Sequence, residues 1–197
     1  MKKSKLFAML TAVALVAAIG VGSTFAYLTA KTDDVVNTFT FDNTIQLDLK
    51  ESEVELNDAY QYVDADGADT WTVTKNDYKD VVPGQKVFKD PTVTVKANST
   101  ACYVFVKVEY NAKQFAEIKI IDDWTAVKDN AGYYYMEVAK DVTNDQTFTV
   151  FNEVQVLSTL KETDKLDQIT VKAAAIQSRE LELADAFAAV QNEYTGF

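Results

Sequence analysis

Alternating apolar and polar residues predict β-strands along most of this chain. Two early segments, VVNTFTF (35–41) and TIQLDLK (44–50), alternate and are rich in β-branched and aromatic residues. Asp42 and Asn43 lie between them and are typical of a tight turn. Later alternating segments have no helical period between them, which predicts an antiparallel β-sandwich rather than β-α-β units. These later segments are TWTVTK (70–75), PTVTVKA (91–97), TFTVFNEVQV (147–156) and QITVKAAAIQ (168–177).

The segment ACYVFVKVEY (101–110) gives the strongest strand signal and predicts part of the core. One of its faces is apolar and contains Cys102, so we expect this thiol to be a small buried hydrophobic group rather than a reactive one. The apolar face consists of Cys102, Val104, Val106, Val108 and Tyr110, and the other face consists of Tyr103, Phe105, Lys107 and Glu109.

A proline-glycine pair predicts a turn near the middle of the chain. Pro83 and Gly84 stand at the centre of VVPGQKV (81–87). Proline presets φ at the first corner of a turn, and glycine tolerates the positive φ of the second corner. We therefore expect a pair of strands to flank this turn.

The segment WTAVKDNAGYYYMEVA (124–139) predicts a hairpin closed around residues 129–132. Its tyrosine run could be a ligand platform or part of the core. Because strand residues alternate, Tyr133 and Tyr135 would share one face and Tyr134 would lie on the other. We expect at least one of these faces to be packed in the core.

A helical period appears only near the C-terminus. Ser178 is placed to cap this helix, and Glu180 and Glu182 favour the N-terminal end of its dipole. The helix is expected to end near Gly196 and to pack one apolar stripe against the sandwich. That stripe consists of Leu183, Phe187, Val190 and Tyr194.

The N-terminus is typical of a secretory signal peptide. Three lysines in the first five residues precede an apolar stretch (6–19), and small residues follow it. The expected cleavage site lies between Ala26 and Tyr27, with Thr24 at the third position before the cut. The alternative is an uncleaved membrane anchor, because residues 6–30 are uncharged and long enough to span a bilayer.

Cleavage would divide the chain into a signal helix (1–26) and a single domain (27–197) that is secreted, with no stable membrane anchor. Loss of three lysines leaves 16 basic and 30 acidic residues, a net charge of −14. Such a surface repels the phosphates of nucleic acids, so nucleic-acid binding is not expected.

The chain has no histidine, which removes the commonest catalytic arrangements. Zinc proteases use paired histidines, and nucleophilic triads use a histidine base. Its single cysteine also excludes an internal disulfide, so stability must come from packing. Asp122, Asp123 and Trp124 could provide two carboxylates and a sugar-stacking ring, but an acidic pair before a strand is usually a solvated turn. We do not expect an enzyme.

The loop DADGAD (64–69) is the best candidate metal site. Asp64, Asp66 and Asp69 supply carboxylate oxygens around a flexible glycine, as calcium prefers. The twelve-residue calcium-loop pattern with its closing glutamate is absent, so the alternative is a solvated acidic loop. No other cofactor is expected.

Two segments carry a resemblance to a known family. GVGSTFAYLTAKTDDVVNTFTFDN (20–43) resembles the start of the TasA/camelysin group of Gram-positive secreted proteins. VVPGQKVFKDPTVTVKANSTACYVFVKVE (81–109) resembles the group's Pro-Gly turn with its following strands. The group's Asn-x-Phe segment is usually followed by glycine, where this chain has Asp42. The residues that match around the cut are Gly20, Gly22, Thr24, Phe25, Ala26 and Tyr27.

This resemblance implies cleavage by a SipW-type signal peptidase, a jelly-roll-like β-sandwich, and export to the cell surface or matrix. For TasA-like members it implies biofilm fibres, in which an N-terminal strand of one subunit completes the sheet of the next. Here that strand would lie within residues 27–41, whose candidate assembly residues are Val35, Val36, Phe39 and Phe41. The same residues could instead form the first strand of a monomeric sandwich, because strand addition and an intramolecular strand both require the same alternating pattern.

The leading hypothesis is therefore a secreted structural protein of matrix or surface fibres. Its expected partners are the signal peptidase during export and then further copies of itself or related matrix subunits. One alternative is a monomeric surface module that binds calcium or carbohydrate. The other is a camelysin-type metalloprotease, against which the missing histidines argue.

Overall fold

The structure, a computed structural model, describes residues 44–68, 70–194 and 197, and there the alternating segments form antiparallel β-sheet. This part of the chain contains twelve strands and one helix. They are β1 (Leu47–Ser52), β2 (Val54–Leu56), β3 (Tyr62–Asp64), β4 (Trp71–Val73), β5 (Lys86–Phe88), β6 (Thr92–Val95), β7 (Cys102–Glu109), β8 (Thr125–Ala126), β9 (Tyr133–Val138), β10 (Gln146–Thr149), β11 (Glu153–Gln155), β12 (Thr170–Gln177) and α1 (Leu183–Glu193).

Most of the strands belong to two four-stranded sheets. The first sheet has the order β10-β6-β1-β4, and the second has the order β12-β7-β9-β8. Two smaller pairs, β11-β5 and β2-β3, complete the pattern, and every pairing is antiparallel. The prediction of a mainly β, antiparallel fold with a C-terminal helix is confirmed.

The core lies between the two sheets and consists mainly of valines, with a few aromatic residues such as Phe151 and Trp124. Val93 and Val95 of β6 are fully buried, as are Val104 and Val106 of β7. Each such side chain contributes about 1.5–3 kcal/mol through burial. Cys102 shares the buried face of β7 and is also fully buried, which confirms that it is a small core residue.

A second cluster lies on the other face of the second sheet, where α1 packs. Phe105 is fully buried there, and its ring centroid lies 5.4 Å from that of Phe187. The other face of β7 is therefore covered by the helix rather than by solvent. Ala186 and Val190 complete the buried stripe of α1, whereas Tyr194, predicted to belong to it, is 47% exposed.

The prediction that Ser178 caps this helix is wrong. The N-cap is Glu182, which makes no side-chain capping bond. The backbone N–H of Ser178 instead donates to the carbonyl of Ala101 at 3.1 Å, so this residue extends the contact between β12 and β7. A left-handed Glu180, with φ of 56°, then turns the chain into α1.

Pro83 and Gly84 do form a turn, but the expected strand pair does not flank it. Gly84 has φ of +85°, and the N–H of Gln85 donates to the carbonyl of Val82 at 3.1 Å. The strand after the turn, β5, pairs with β11. The N–H of Gly84 also donates to the carbonyl of Val156, the first residue after β11, at 3.1 Å. The segment before the turn is consequently not a strand.

The hairpin prediction around residues 129–132 is confirmed by the pairing of β8 with β9. Gly132 has φ of +82°, and a Cβ there would lie 3.0 Å from the carbonyl oxygen of Val108. The tyrosine run alternates as expected. Tyr133 and Tyr135 pack with the helix cluster, and Tyr134 packs with the inter-sheet core.

Several predictions concern residues outside the described part of the chain and stay predictions. They are the signal helix with its boundary at residue 26, the turn at Asp42-Asn43, and the site residues Ala26, Tyr27, Val35, Val36, Phe39, Phe41 and Asp69. Within the described residues, no helix has the length and apolarity needed to cross a membrane.

Replacing Phe105 by alanine should destabilise the domain by about 3–5 kcal/mol, because the cavity would remove contacts to both the sheet and α1. Urea unfolding followed by circular dichroism measures this loss. Val82→Ala is the control, since Val82 is 48% exposed and its truncation should change stability by about 0.5 kcal/mol or less. Equal effects of the two substitutions would contradict the packing described for α1.

Candidate functional site

In the acidic loop after β3, the carboxylates of Asp64 and Asp66 accept hydrogen bonds from groups of the same loop. The carboxylate of Asp64 accepts a bond from the N–H of Asp66 at 3.2 Å. Asp66 accepts bonds from the hydroxyl of Thr70 and from the N–H of Ala68, and these bonds lower its pKa. Among the described residues no group of three acidic or thiol side chains could hold a metal, and Asp69 lies outside them. Calcium binding stays a prediction.

The candidate carboxylate pair next to Trp124 lies in a turn. Asp122 and Asp123 are exposed, as expected for a solvated acidic pair. Trp124 is only 5% exposed, and its indole N–H donates to the carbonyl of Thr149 at 2.9 Å. Its ring belongs to the core and offers no open face for stacking on a sugar.

A different feature of the described residues, not found from sequence, is an unpaired edge on β1. Residues Leu47–Lys50 pair with β6 on one side. On the other side β4 pairs only with Glu51 and Ser52. β12 is likewise the terminal strand of its sheet in this part of the chain, and it lies beside β1. Such edges present main-chain N–H and C=O groups that can pair with another strand.

Between these two edges lies a gap, which we call the seam. The β1 side of the seam is formed by Ile45, Leu47 and Leu49, and the β12 side by Ala173 and Ala175. This part of the seam is a cleft of about 500 Å³. The three larger side chains and the two alanines pack partly buried against the inter-sheet core. Asp48, Lys172 and Tyr194 also line this cleft, so its walls are partly apolar and partly polar.

The seam continues into a larger cleft of about 890 Å³. The two clefts share Leu49 and meet on β12 between Val171 and Lys172. Apolar side chains also line the larger cleft, and its mouth has polar groups from residues 74–79. The apolar lining includes Val87, Phe115, Val154, Val156 and Ile169.

A buried carboxylate fixes the point where β4 leaves β1. Asp90 is 5% exposed and accepts bonds from the N–H of Ser52 at 2.9 Å, the hydroxyl of Ser52 at 2.7 Å, and the indole N–H of Trp71 at 2.9 Å. Ser52 and Trp71 are register partners beside a β-bulge that leaves Thr72 without a partner on β1. Bulges bend a strand, so this contact turns β4 away from the rest of β1.

A partly buried side chain, Asn76, holds the chain after β4 at the end of the seam. Asn76 donates to the carbonyl of Ser52 at 2.8 Å and to the carboxylate of Glu51 at 3.1 Å, and it accepts from the N–H of Val54 at 3.2 Å. Glu51 also forms an ion pair with Lys89, and both side chains are largely buried. The chain therefore folds back across the end of β1 and leaves Leu47–Lys50 uncovered among the described residues.

Tyr78 packs beside this ion pair and remains protonated. Burial raises the pKa of Tyr78, and the charges of Glu51 and Asp90 raise it further. Its hydroxyl donates to the carbonyl of Phe88 at 3.0 Å, and the Lys89 ammonium lies 5.9 Å from its ring centroid. The mouth of the larger cleft is thus held by satisfied polar contacts.

The chain matches no protein-family model, and no curated protein or solved structure matches it. The function is therefore inferred from the geometry of the site itself. The seam places apolar side chains beside the main-chain hydrogen-bonding groups of the β1 edge, an arrangement that suits an extended peptide.

Asp90→Asn should destabilise the domain by about 3 kcal/mol. The amide has only one acceptor oxygen for the three donors, and hydrogen bonds to a neutral amide are weaker than hydrogen bonds to a charged carboxylate. Urea unfolding provides the measurement. Asp123→Asn is the matched control, since Asp123 is exposed and its change should be about 0.5 kcal/mol or less. A loss at Asp90 no larger than in the control would show that this carboxylate does not hold the bulge.

Cys102 should resist alkylation in the folded protein. Burial raises the pKa of this thiol from its ordinary value of 9.0 to about 11. Iodoacetamide at pH 8, read by mass spectrometry, should label the urea-unfolded chain and not the folded one. Because the folded pKa is the higher one, this thiol contributes stability fully below pH 9 and loses that contribution as pH rises towards 11. Equal labelling rates would contradict the burial.

Proposed function

We propose that this chain is a secreted structural protein, a subunit of extracellular matrix or cell-surface fibres that assembles by β-strand addition. The observation that carries the proposal is the seam, where the Leu47–Lys50 edge of β1, which β4 leaves uncovered among the described residues, borders a cleft of about 500 Å³ beside β12. A strand placed there would gain main-chain hydrogen bonds along with burial of its apolar side chains.

The predicted assembly strand is long enough to cover the edge of β1. The edge that β4 leaves uncovered is Leu47–Lys50, which is four residues. The segment VVNTFTF (35–41) has seven residues. At about 3.3 Å per residue, the edge extends over roughly 13 Å and the segment over roughly 23 Å. The segment alternates, so one face could enter the core while the other faces outward.

The resemblance to the TasA/camelysin group adds the biological setting. It supports cleavage between Ala26 and Tyr27 by a SipW-type peptidase, export, and a jelly-roll-like arrangement of the two sheets. Cleavage would free residues 27–41 from the membrane and so make them available to another subunit. Because each subunit would give one strand and accept one, the contact is head-to-tail and produces filaments rather than closed dimers.

No observation favours the alternative functions. The carboxylates of Asp64 and Asp66 are used within their own loop, and the ring of Trp124 is buried. The absence of histidine from the chain leaves a camelysin-type protease without its usual metal ligands. The structural role therefore has the best support.

Protein that begins at Tyr27 should elongate into filaments when it is concentrated, because residues 27–41 of one copy can pair with the seam of the next. Light scattering and negative-stain electron microscopy measure this, at about 0.15 M salt to screen the acidic surface. The control replaces residues 27–41 by a Gly-Ser sequence of the same length and should stay monomeric. If the unaltered protein also stays monomeric, the proposal is wrong.

A further inference from the structure

Three side chains of complementary reactivity meet where the chain folds back across the end of β1. They are the amine of Lys89, the carboxylate of Glu51 and the amide of Asn76. One oxygen of Glu51 accepts a hydrogen bond from Nζ of Lys89. The other oxygen accepts one from Nδ2 of Asn76 at 3.1 Å. A single carboxylate therefore holds a nucleophile and an amide beside each other.

This cluster is shielded from water. The side chains of Glu51 and Lys89 are 7% and 13% exposed, whereas those of the ion pair between Lys86 and Glu153 are 60% and 50% exposed. The Lys89 amine also lies over the ring of Tyr78. Exclusion of water suppresses hydrolysis, the reaction that would compete with attack of an amine on an amide.

The amide of Asn76 is held as an acyl group must be for attack. Its oxygen accepts from the backbone N–H of Val54 at 3.2 Å, and negative charge develops on this oxygen when a nucleophile adds to the carbon. Its nitrogen donates to the carbonyl of Ser52 at 2.8 Å and to Glu51. The nitrogen that would leave is thus bonded to a group that can bring it a proton.

We propose that Lys89 and Asn76 join through an amide bond between their side chains, with Glu51 as the catalytic acid and base. The Lys89 ammonium first passes a proton to Glu51. The end of the flexible lysine stem then turns from the carboxylate to Cγ of Asn76, and Nζ forms a bond to this carbon. The electron pair of the carbonyl moves to Oδ1, next to the N–H of Val54.

The second half of the reaction releases ammonia. Glu51 gives its proton to Nδ2 of Asn76 and takes one from the attacking nitrogen of Lys89. The carbonyl forms again as the bond between Cγ and Nδ2 breaks. The ammonia takes the last proton from Glu51 and leaves as ammonium through the larger cleft, which all three residues line. The reaction needs no oxidant and no cofactor.

The bond would tie the chain after β4 to the segment between β5 and β6. It closes a loop of residues 76–89 in a domain whose single cysteine is buried and free. Cross-links stabilise a fold chiefly by restricting the unfolded chain. Because the bond forms within one copy, it does not depend on the filament assembly proposed above.

The mass of the purified protein, measured after unfolding in urea, is the first test. It should be lower than the mass of the sequence by one molecule of ammonia. Lys89→Met removes the nucleophile and should abolish this loss. Lys86→Met is the matched control, since it removes the lysine of an exposed ion pair and should leave the loss unchanged.

A tryptic digest locates the bond. Trypsin needs the positive charge of a lysine, and the amide removes this charge from Lys89. The digest should therefore contain NDYK (76–79) joined to VFKDPTVTVK (87–96). Without the bond, trypsin releases NDYK, VFK and DPTVTVK as separate peptides.

Glu51→Gln tests the role of the carboxylate. It should slow bond formation at least about a hundredfold, the lower end of what general acid–base catalysis contributes, and leave freshly purified protein largely unlinked. Gel filtration and circular dichroism show whether this variant folds. If it does not, the digest of the unaltered protein still decides whether the bond forms.

Three results would overturn the inference. An unaltered protein with the full mass of its sequence has no such bond. A lowered mass with NDYK and VFK recovered as separate peptides means that ammonia was lost elsewhere. A folded Glu51→Gln variant that links as completely as the unaltered protein contradicts the catalytic role of Glu51.

Discussion

The buried carboxylate of Asp90 is the contact on which the arrangement of the seam depends. Its three hydrogen bonds join the N–H and hydroxyl of Ser52 to the indole of Trp71. They hold the bulge at which β4 departs from β1. Asn76 then returns the chain across the end of β1. These contacts accompany the short pairing of β4, which reaches only Glu51 and Ser52 of β1.

The seam also depends on how the second sheet is supported. Helix α1 covers the outer face of this sheet through Phe187 and Val190, and Phe105 fills the contact. Because one face packs on the helix and the other on the core, β12 keeps its position without a further strand beside it among the described residues. β12 is thus held in its sheet by packing on both of its faces.

Local pattern predicted the parts of the fold that depend on neighbours in sequence. The alternation of 101–110 identified β7 and its buried face, and the apolar stripe identified α1. The predictions were wrong where a partner that is distant in sequence determines the local structure. The N–H of Ser178 donates to the carbonyl of Ala101 and the side chain does not cap α1, and the chain after Gly84 pairs with β11. The seam could not be predicted for the same reason. VKAAAIQ (171–177) contains three consecutive alanines, but the sequence does not show that this strand lies at the edge of a sheet.

One consequence follows from the position of the seam beside the edge of β1. Under the function proposed above, a subunit whose cleft is filled by its neighbour would complete its packing only inside the polymer. Its resistance to heat would then rise with the concentration of subunits, by mass action. An acidic chain without disulfides would in this way owe the toughness of the assembled material to its neighbours rather than to cross-links between subunits.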